Sequence, residues 1–469
     1  MGKSSSKEKQ LIKNTLLYTI SNFGSKILTF LIVPLYTYYL TTSEYGSYDT
    51  IVSIVNLIAP MCIMAINEGL LRWLLKSEEK EETVFSTGMI LYVAFIIITD
   101  IILAIVFGIY KWDYAGQFLA LLSAETLQLV LQYSARGMKK NQVFAISGVL
   151  YTVVMLALNV ILVMVFRQGI TGMLRSMTMA YVISSVYLLY GMREFLHLSN
   201  IQFNTKLAKV MLAYSILLVP NCISWWVMNT SDRLMLTFMI GSSFTGIYSI
   251  ACKFPTIVTV IHTLFYQAWQ EQAVIEYDSK NRDSYYTRVF NVYMQLAFCA
   301  VFMLIPFSKL VIVYVMDKSY LSAYQYIGVL YLGSLFSSFS GFYGTGYISA
   351  KDTKNAMSTT MVGAIINIAI NLLFIKKLGI WAACISTLAA YVVVWCIRVI
   401  QTKKYFHIAV EWKKFVPLLL LDIAFSVAIC FSSNLVTAVM FGVSVVVTVM
   451  VNWLLIMKIL NGILEKIKR

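Results

Sequence analysis

The residues best able to do chemistry in this chain are ionisable side chains set deep inside long apolar runs. Lys26 lies about twelve residues into the run 14–40, roughly 18 Å along a helix at 1.5 Å per residue. That is too deep for its stem to carry the ammonium comfortably back to water. Asn22, Lys26 and Thr29 fall at i, i+4 and i+7, on one helix face. A polar face at that depth implies either a water-filled cavity or a lysine paired to an acid for structural reasons. Lys253 sits inside the run 245–270 with Ser249 and Thr256 on a similar face, where it joins such a cavity or snorkels outward. Asp232-Arg233 closes the run 210–238; neighbours in sequence point different ways on a helix, so these two need not pair, and a solvated helix end is the alternative. Glu125, Gln128 and Gln132 stand at i, i+3 and i+7 of the run 116–135 and form a second polar stripe, while Asp100 and Asp422 lie in the runs 84–109 and 415–432. These are groups that bind and compensate charge. Motifs for bond-making are missing: there is no GxxxxGK[ST], no GxSxG and no HExxH. The seven cysteines include no CxxC pair, and with three histidines they leave no metal centre and no disulfide frame.

The elements that must position these groups are membrane helices. Hydrophobic residues make up 59% of the 469 residues and charged ones 13%, about half the charged fraction of a soluble domain. About fourteen runs reach the length a bilayer-spanning helix needs. They are 14–40, 47–70, 84–109, 116–135, 143–166, 173–192, 210–238, 245–270, 288–308, 324–348, 356–375, 380–401, 415–432 and 436–457. With the N-terminus placed inside, about 27 of the 37 Lys and Arg fall on inner segments, among them Arg288, Arg398 and Lys414. About 7, among them Lys309, fall on outer loops. That asymmetry is what the positive-inside rule requires of an even number of spans, and it accounts for the net charge of +15 without nucleic acid.

An internal repeat divides the chain. Ser43, Gly46 and Tyr48 match Ser243, Gly246 and Tyr248. Ser134-Ala135-Arg136 with Lys140-Asn141 matches Ser349-Ala350-Lys351 with Lys354-Asn355, and Gly169-Ile170 matches Gly379-Ile380. The expected fold is an all-α polytopic membrane protein. It has two pseudo-symmetric six-helix lobes, 1–205 and 206–402, followed by two C-terminal helices and a tail in 403–469. Four of the six prolines, Pro34, Pro60, Pro220 and Pro255, lie in spans 1, 2, 7 and 8, which makes equivalent spans of the two lobes the bendable ones. Span 13 is expected to pack outside the lobes, so Asp422 receives no transport role.

Three stretches resemble the bacterial polysaccharide or oligosaccharide flippases, the Wzx-like branch of the multidrug/oligosaccharidyl-lipid/polysaccharide exporter superfamily. They are Asn22-Phe23-Gly24-Ser25-Lys26 through Pro34-Leu35-Tyr36 to Glu44-Tyr45-Gly46, then Ala135-Arg136-Gly137 with Asn141 and Leu158-Asn159, and finally Ser231-Asp232-Arg233-Leu234 with Gly246-Ile247-Tyr248-Ser249. The resemblance implies a transporter, not an enzyme, of the cytoplasmic membrane with both termini inside. Its cargo would be an undecaprenyl-pyrophosphate oligosaccharide, moved by alternating access through a cavity between the lobes. Lys26, Arg233 and Lys253, with Asn22, would hold the pyrophosphate and sugar, since fixed cations in a low-dielectric setting pair with phosphate oxygens. Glu125 and Asp100 are the candidates for coupling to an H+ or Na+ gradient, and Gln128, Gln132 and Asp232 would line the cavity. Spans 13 and 14 would support the lipid tail. Membrane lipids, a glycan polymerase and glycosyltransferases are the implied partners. The rival readings are an ion-coupled multidrug exporter of the same superfamily, a membrane polymerase or ligase, and a scaffold of glycan assembly. Short outer loops argue against the polymerase or ligase, and the polar stripes against the scaffold.

Overall fold

The computed structural model describes residues 30, 32–76, 79–195, 202–350 and 352–467, and these are helical with no strand. Asn22, Lys26 and Thr29 lie outside the described residues. The chain forms two compact units, Met1–Trp226 and Val227–Arg469.

The first unit holds α1 (Val33–Tyr39), α2 (Thr42–Cys62), α3 (Ile66–Lys76), α4 (Glu81–Tyr110), α5 (Ala115–Gly137), α6 (Asn141–Asn159), α7 (Gly169–Gly191) and α8 (Thr205–Ile216). α9 (Val219–Ile240) runs across the division. The second unit continues with α10 (Ser242–Lys253), α11 (Thr256–Ile275), α12 (Arg282–Val315), α13 (Tyr324–Ser349), α14 (Thr353–Leu378), α15 (Ile380–Gln401), α16 (Trp412–Phe431) and α17 (Asn434–Ile467). Each expected span after the first coincides with one of these helices or with a broken pair. Among the described residues, eight helical segments are long and apolar enough to cross a membrane, and ten if each bent pair counts as one span. α5, α7 and α13 have the length but more polar side chains. α13, with its serines and glycines, is buried along most of its length. A helix enclosed by protein need not match lipid, so its composition relaxes. The reverse holds for α4, where Ile97, Ile98, Ile101, Ile102 and Ile105 are all more than half exposed. Lipid tails solvate such a face.

Proline and backbone strain explain the breaks. Within span 2, Pro60 is followed by Met64 and Ala65, both at φ 49°, a left-handed conformation that non-glycine residues avoid, and α2 and α3 meet at 51°. Within span 8, Phe254-Pro255 separates α10 from α11 at 43°. The two bent pairs stand at equivalent places of the sequence repeat. Gly169 and Gly379, paired in that repeat, open α7 and α15 with φ of +54° and +58°, which glycine alone adopts cheaply. The start of α2 is fixed by a capping box between Thr41 and Glu44. That of α14 is fixed by Asp352, whose carboxylate accepts from Asn355 N at 3.2 Å. The Tyr405 hydroxyl, then Asn355, hold that carboxyl well below the usual carboxylate range. The cap therefore keeps its charge at neutral pH and weakens only in strong acid.

The core of unit 1 is aliphatic, around Val55, Leu70, Leu121, Leu122, Val130 and Leu174. That of unit 2 is aromatic: Trp395 stacks on Phe415 at 5.5 Å and Trp269 on Phe342 at 4.2 Å. Two basic residues sit elsewhere than expected. Lys309 is not in an outer loop, because α12 continues through Pro306 to Val315. Its ammonium is buried and donates to the carbonyls of Ile429 and Ser432 at 2.6 Å each, capping the end of α16. Arg398, counted at the inner surface, is 6% exposed, because α13 and α14 cover the last turn of α15.

Candidate functional site

The most developed polar site is in unit 2 and centres on Asp232. A solvated helix end is not what the structure shows there: Asp232 is 1% exposed. Its Oδ2 accepts from the Tyr248 hydroxyl of α10 at 2.8 Å and from Thr387 Oγ1 of α15 at 2.7 Å. Its Oδ1 accepts from Asn371 Nδ2 of α14 at 2.5 Å, with Ser386 Oγ at 3.4 Å. Asn367, one turn before Asn371, accepts from Ser231 at 3.1 Å and from Asn371 at 3.3 Å. Tyr391 donates to Asn229 Oδ1 at 2.7 Å. Four helices thus converge on one carboxyl group through neutral partners. The buried Asn371 Oδ1 next to it receives no hydrogen bond from the described residues. Neutral donors offset only part of the cost of burying a carboxylate. Such a site can exchange a proton, or hold a small monovalent cation against the carboxylate and neighbouring amide oxygens. Among the described residues, no three His, Cys, Asp or Glu side chains are grouped to hold a metal ion.

The sequence reading named Asp232 but missed Asn367, Asn371 and Thr387. The signal was present: Asn367-Ile368-Ala369-Ile370-Asn371 puts two amides at i, i+4 inside an apolar run. Arg233, next to Asp232, points elsewhere and donates to Asn229 O at 3.3 Å. Lys253 is the last residue of α10, half-buried at the bend. A second buried cation, also missed, is Arg398. It donates to Ser340 O at 2.9 Å and to Thr359 and Thr360 hydroxyls at 3.2 Å each. All three partners are neutral.

In unit 1 the stripe on α5 divides. Gln128 donates to Ser184 Oγ at 2.7 Å and Gln132 to Ser147 Oγ at 3.2 Å, and Ser184 in turn donates to Ser147 O at 2.9 Å. The two amides therefore tie α5 to α6 and α7. Glu125 turns toward Tyr151 and Tyr181, whose rings stack at 4.4 Å and lie within its electrostatic reach. Its buried Oε2 has no hydrogen-bond partner among the described residues. Asp100 accepts from Ser123 Oγ at 2.7 Å, while its Oδ1 is buried without a partner among the described residues. Cys62, at the end of α2 just before the strained break, is within electrostatic reach of both acids. Each of the two acids thus has a buried oxygen without a partner among the described residues. Glu125→Gln is expected to fold as well as the parent, because among the described residues no donor to Oε2 loses its acceptor, and to change the ion dependence of transport. Unchanged dependence on pH and sodium in reconstituted vesicles would remove Glu125 from the coupling path.

Comparison with known proteins agrees with this architecture. A family model described as polysaccharide biosynthesis protein matches residues 11–270 of the 469, and the chain belongs to that family. It is a multi-pass membrane protein. Its fold is similar to that of a lipid II flippase, MurJ, in an inward-closed conformation, with a TM-score of 0.73 at 13% identity over 95% of this chain and 100% of that one. It is also similar to an inward-facing multidrug resistance MATE family transporter of the MOP superfamily, with a TM-score of 0.62 at 14% identity over 81% of this chain and 98% of that one. An uncharacterized membrane protein of Methanocaldococcus jannaschii is 23% identical over 244 residues, 50% of this chain and 47% of that protein. The match thus spans about half the length of this curated relative.

Proposed function

We propose that the chain is an ion-coupled flippase that moves a lipid-linked oligosaccharide, an undecaprenyl-pyrophosphate precursor of surface polysaccharide, across the cytoplasmic membrane by alternating access. The observation that carries the reading is Asp232: a carboxyl group buried at membrane depth, held by neutral donors from three other helices, with a free amide oxygen beside it. A group so costly to bury marks an ion or proton path by default. The family supplies the polysaccharide context. The bent spans 2 and 8 supply elements able to change shape. The Lys and Arg asymmetry supports inner N- and C-termini.

The lobes run 1–205 and 206–402, and the helices of 403–469 support the lipid tail. Lys26, Asn22, Arg233 and Lys253 bind the pyrophosphate and sugar, and Arg398 adds a fixed cation without an acidic partner among the described residues. Lys26→Ala is expected to abolish flipping of the lipid-linked sugar while leaving membrane insertion intact. Unimpaired surface polysaccharide in a strain carrying this variant would reject the pyrophosphate role. A second reading, a cation or drug exporter of the same fold, is favoured by the partnerless oxygens of Asp100 and Glu125. Reconstituted vesicles given either a defined lipid-linked sugar or a lipophilic cation distinguish the two.

A further inference from the structure

One buried acid has no place in this cycle. Asp422, midway along α16, is 0% exposed, and neither of its carboxyl oxygens has a hydrogen-bond partner among the described residues. As a carboxylate it lacks a donor; as an acid its O–H lacks an acceptor. Span 13 keeps one exposed face, with Leu420, Val427 and Phe431 all more than half exposed, and Asp422 lies on its other face. α16 packs against α12 and α13, and this closes the apolar surroundings around the acid.

A polar route leads toward it. On α12, Asn291, Gln295 and Cys299 recur at i, i+4 and i+8, on one face. Gln295 Nε2 donates to Asn452 Oδ1 of α17 at 3.0 Å, and Asn452 Nδ2 reaches Cys299 Sγ at 3.3 Å. Asn452 is 3% exposed, so this amide bridge is interior. The Cys299 thiol lies within electrostatic reach of the Asp422 carboxyl. At the other end the route opens into a cavity of ≈ 290 Å³, lined among others by Thr287, Arg288, Asn291, Gln295, Glu411 and Lys414. Arg288 and Lys414 belong to the basic segments that the charge asymmetry assigns to the cytoplasmic face.

We propose that Asp422 is a proton-binding site loaded from this cavity along Gln295, Asn452 and Cys299. The step is a simple transfer: a hydronium ion gives its proton to the carboxylate, leaving water and a neutral carboxylic acid. The side chains line the path and water carries the proton. On the helices next to α16, Thr448 and Asn452 of α17 bond to the Cys299 carbonyl and thiol of α12, and α13 packs Gly328 against Ser426, one turn after Asp422. Charged groups stand only at the ends of the route among the described residues. Arg288, Glu411 and Lys414 are at its mouth, and Lys309 lies beyond, bonded to Ile429 and Ser432. The site does not depend on the identity of the cargo, so it can fail or stand separately from the flippase reading.

The test uses the full chain in lipid vesicles. Dicyclohexylcarbodiimide, an apolar reagent that couples to protonated carboxyls, should modify Asp422, as mapped by peptide mass, with labelling that falls as the buffer is made alkaline. The carboxylic C=O infrared band lost in Asp422→Asn should exchange in D2O about tenfold more slowly in Asn452→Leu, the scale of one lost hydrogen bond. An unlabelled Asp422 at every pH, or an exchange rate indifferent to Asn452→Leu, overturns the proposal. The labelling arm needs no variant, so a misfolded Asp422→Asn leaves the outcome decidable.

Discussion

Asp232→Asn is expected to leave the protein folded in the membrane and to remove gradient-driven transport. The amide keeps one acceptor oxygen, but its NH2 then faces donors from Tyr248 and Thr387 or from Asn371. That mismatch costs about 1–3 kcal/mol, which a two-unit helical fold tolerates. What the amide cannot do is gain or lose a proton, or neutralise a cation. Asp232→Ala should behave differently: three buried donors lose their acceptor at about 1–3 kcal/mol each, so stability falls as well. Thermal unfolding in detergent, set beside cargo movement with and without a pH or sodium gradient, separates the two effects. Retained gradient dependence in Asp232→Asn would place the coupling elsewhere, with Glu125 and Asp100 the next candidates.

Arg398→Met should be neutral or stabilising for the fold and yet cut transport of an anionic cargo about ten- to hundredfold. The sign follows from comparing two terms. Removing a buried guanidinium recovers a desolvation penalty of several kcal/mol. The lost hydrogen bonds are fewer than they look. Thr359 and Thr360 already lie within 2.9 and 3.1 Å of Ala356 O. Only Ser340 O loses a donor, at about 1–3 kcal/mol. If the fold does as well without the charge, its role is toward a ligand, to which a charge-assisted hydrogen bond is worth about 1.5–3 kcal/mol. A marked drop in thermal stability with unchanged transport per folded molecule would make Arg398 a structural tie and nothing more.

Much of the fold was legible because the bilayer imposes a strong pattern. Apolar runs of spanning length sufficed to locate the described helices after the first. The repeat surfaced again as two left-handed glycines, Gly169 and Gly379, and as two bent pairs. The site was legible only where it carried charge. Asp232 stood out, but its partners Asn367, Asn371 and Thr387 are neutral and 135 or more residues away in sequence, and an uncharged amide in an apolar run raises little signal. Lys309 was misplaced because hydropathy ends a span where polar residues begin, whereas α12 continues to Val315 and buries it; Arg398 lay at the end of an expected span, and its burial comes from α13 and α14 packing over that last turn. Asp422 was set aside because span 13 was expected to pack outside the lobes; α16 does keep an exposed face, but its opposite face packs on α12 and α13 and buries the acid.

The decisive measurement is flipping of a defined undecaprenyl-pyrophosphate oligosaccharide by the purified chain in sealed vesicles, followed by the access of a membrane-impermeant sugar-modifying reagent. The account predicts movement that needs the chain, responds to an imposed pH or sodium gradient, and disappears with Asp232→Asn. Vesicles in which the sugar stays on its original face, while a lipophilic cation is moved in a gradient-dependent way, would contradict it.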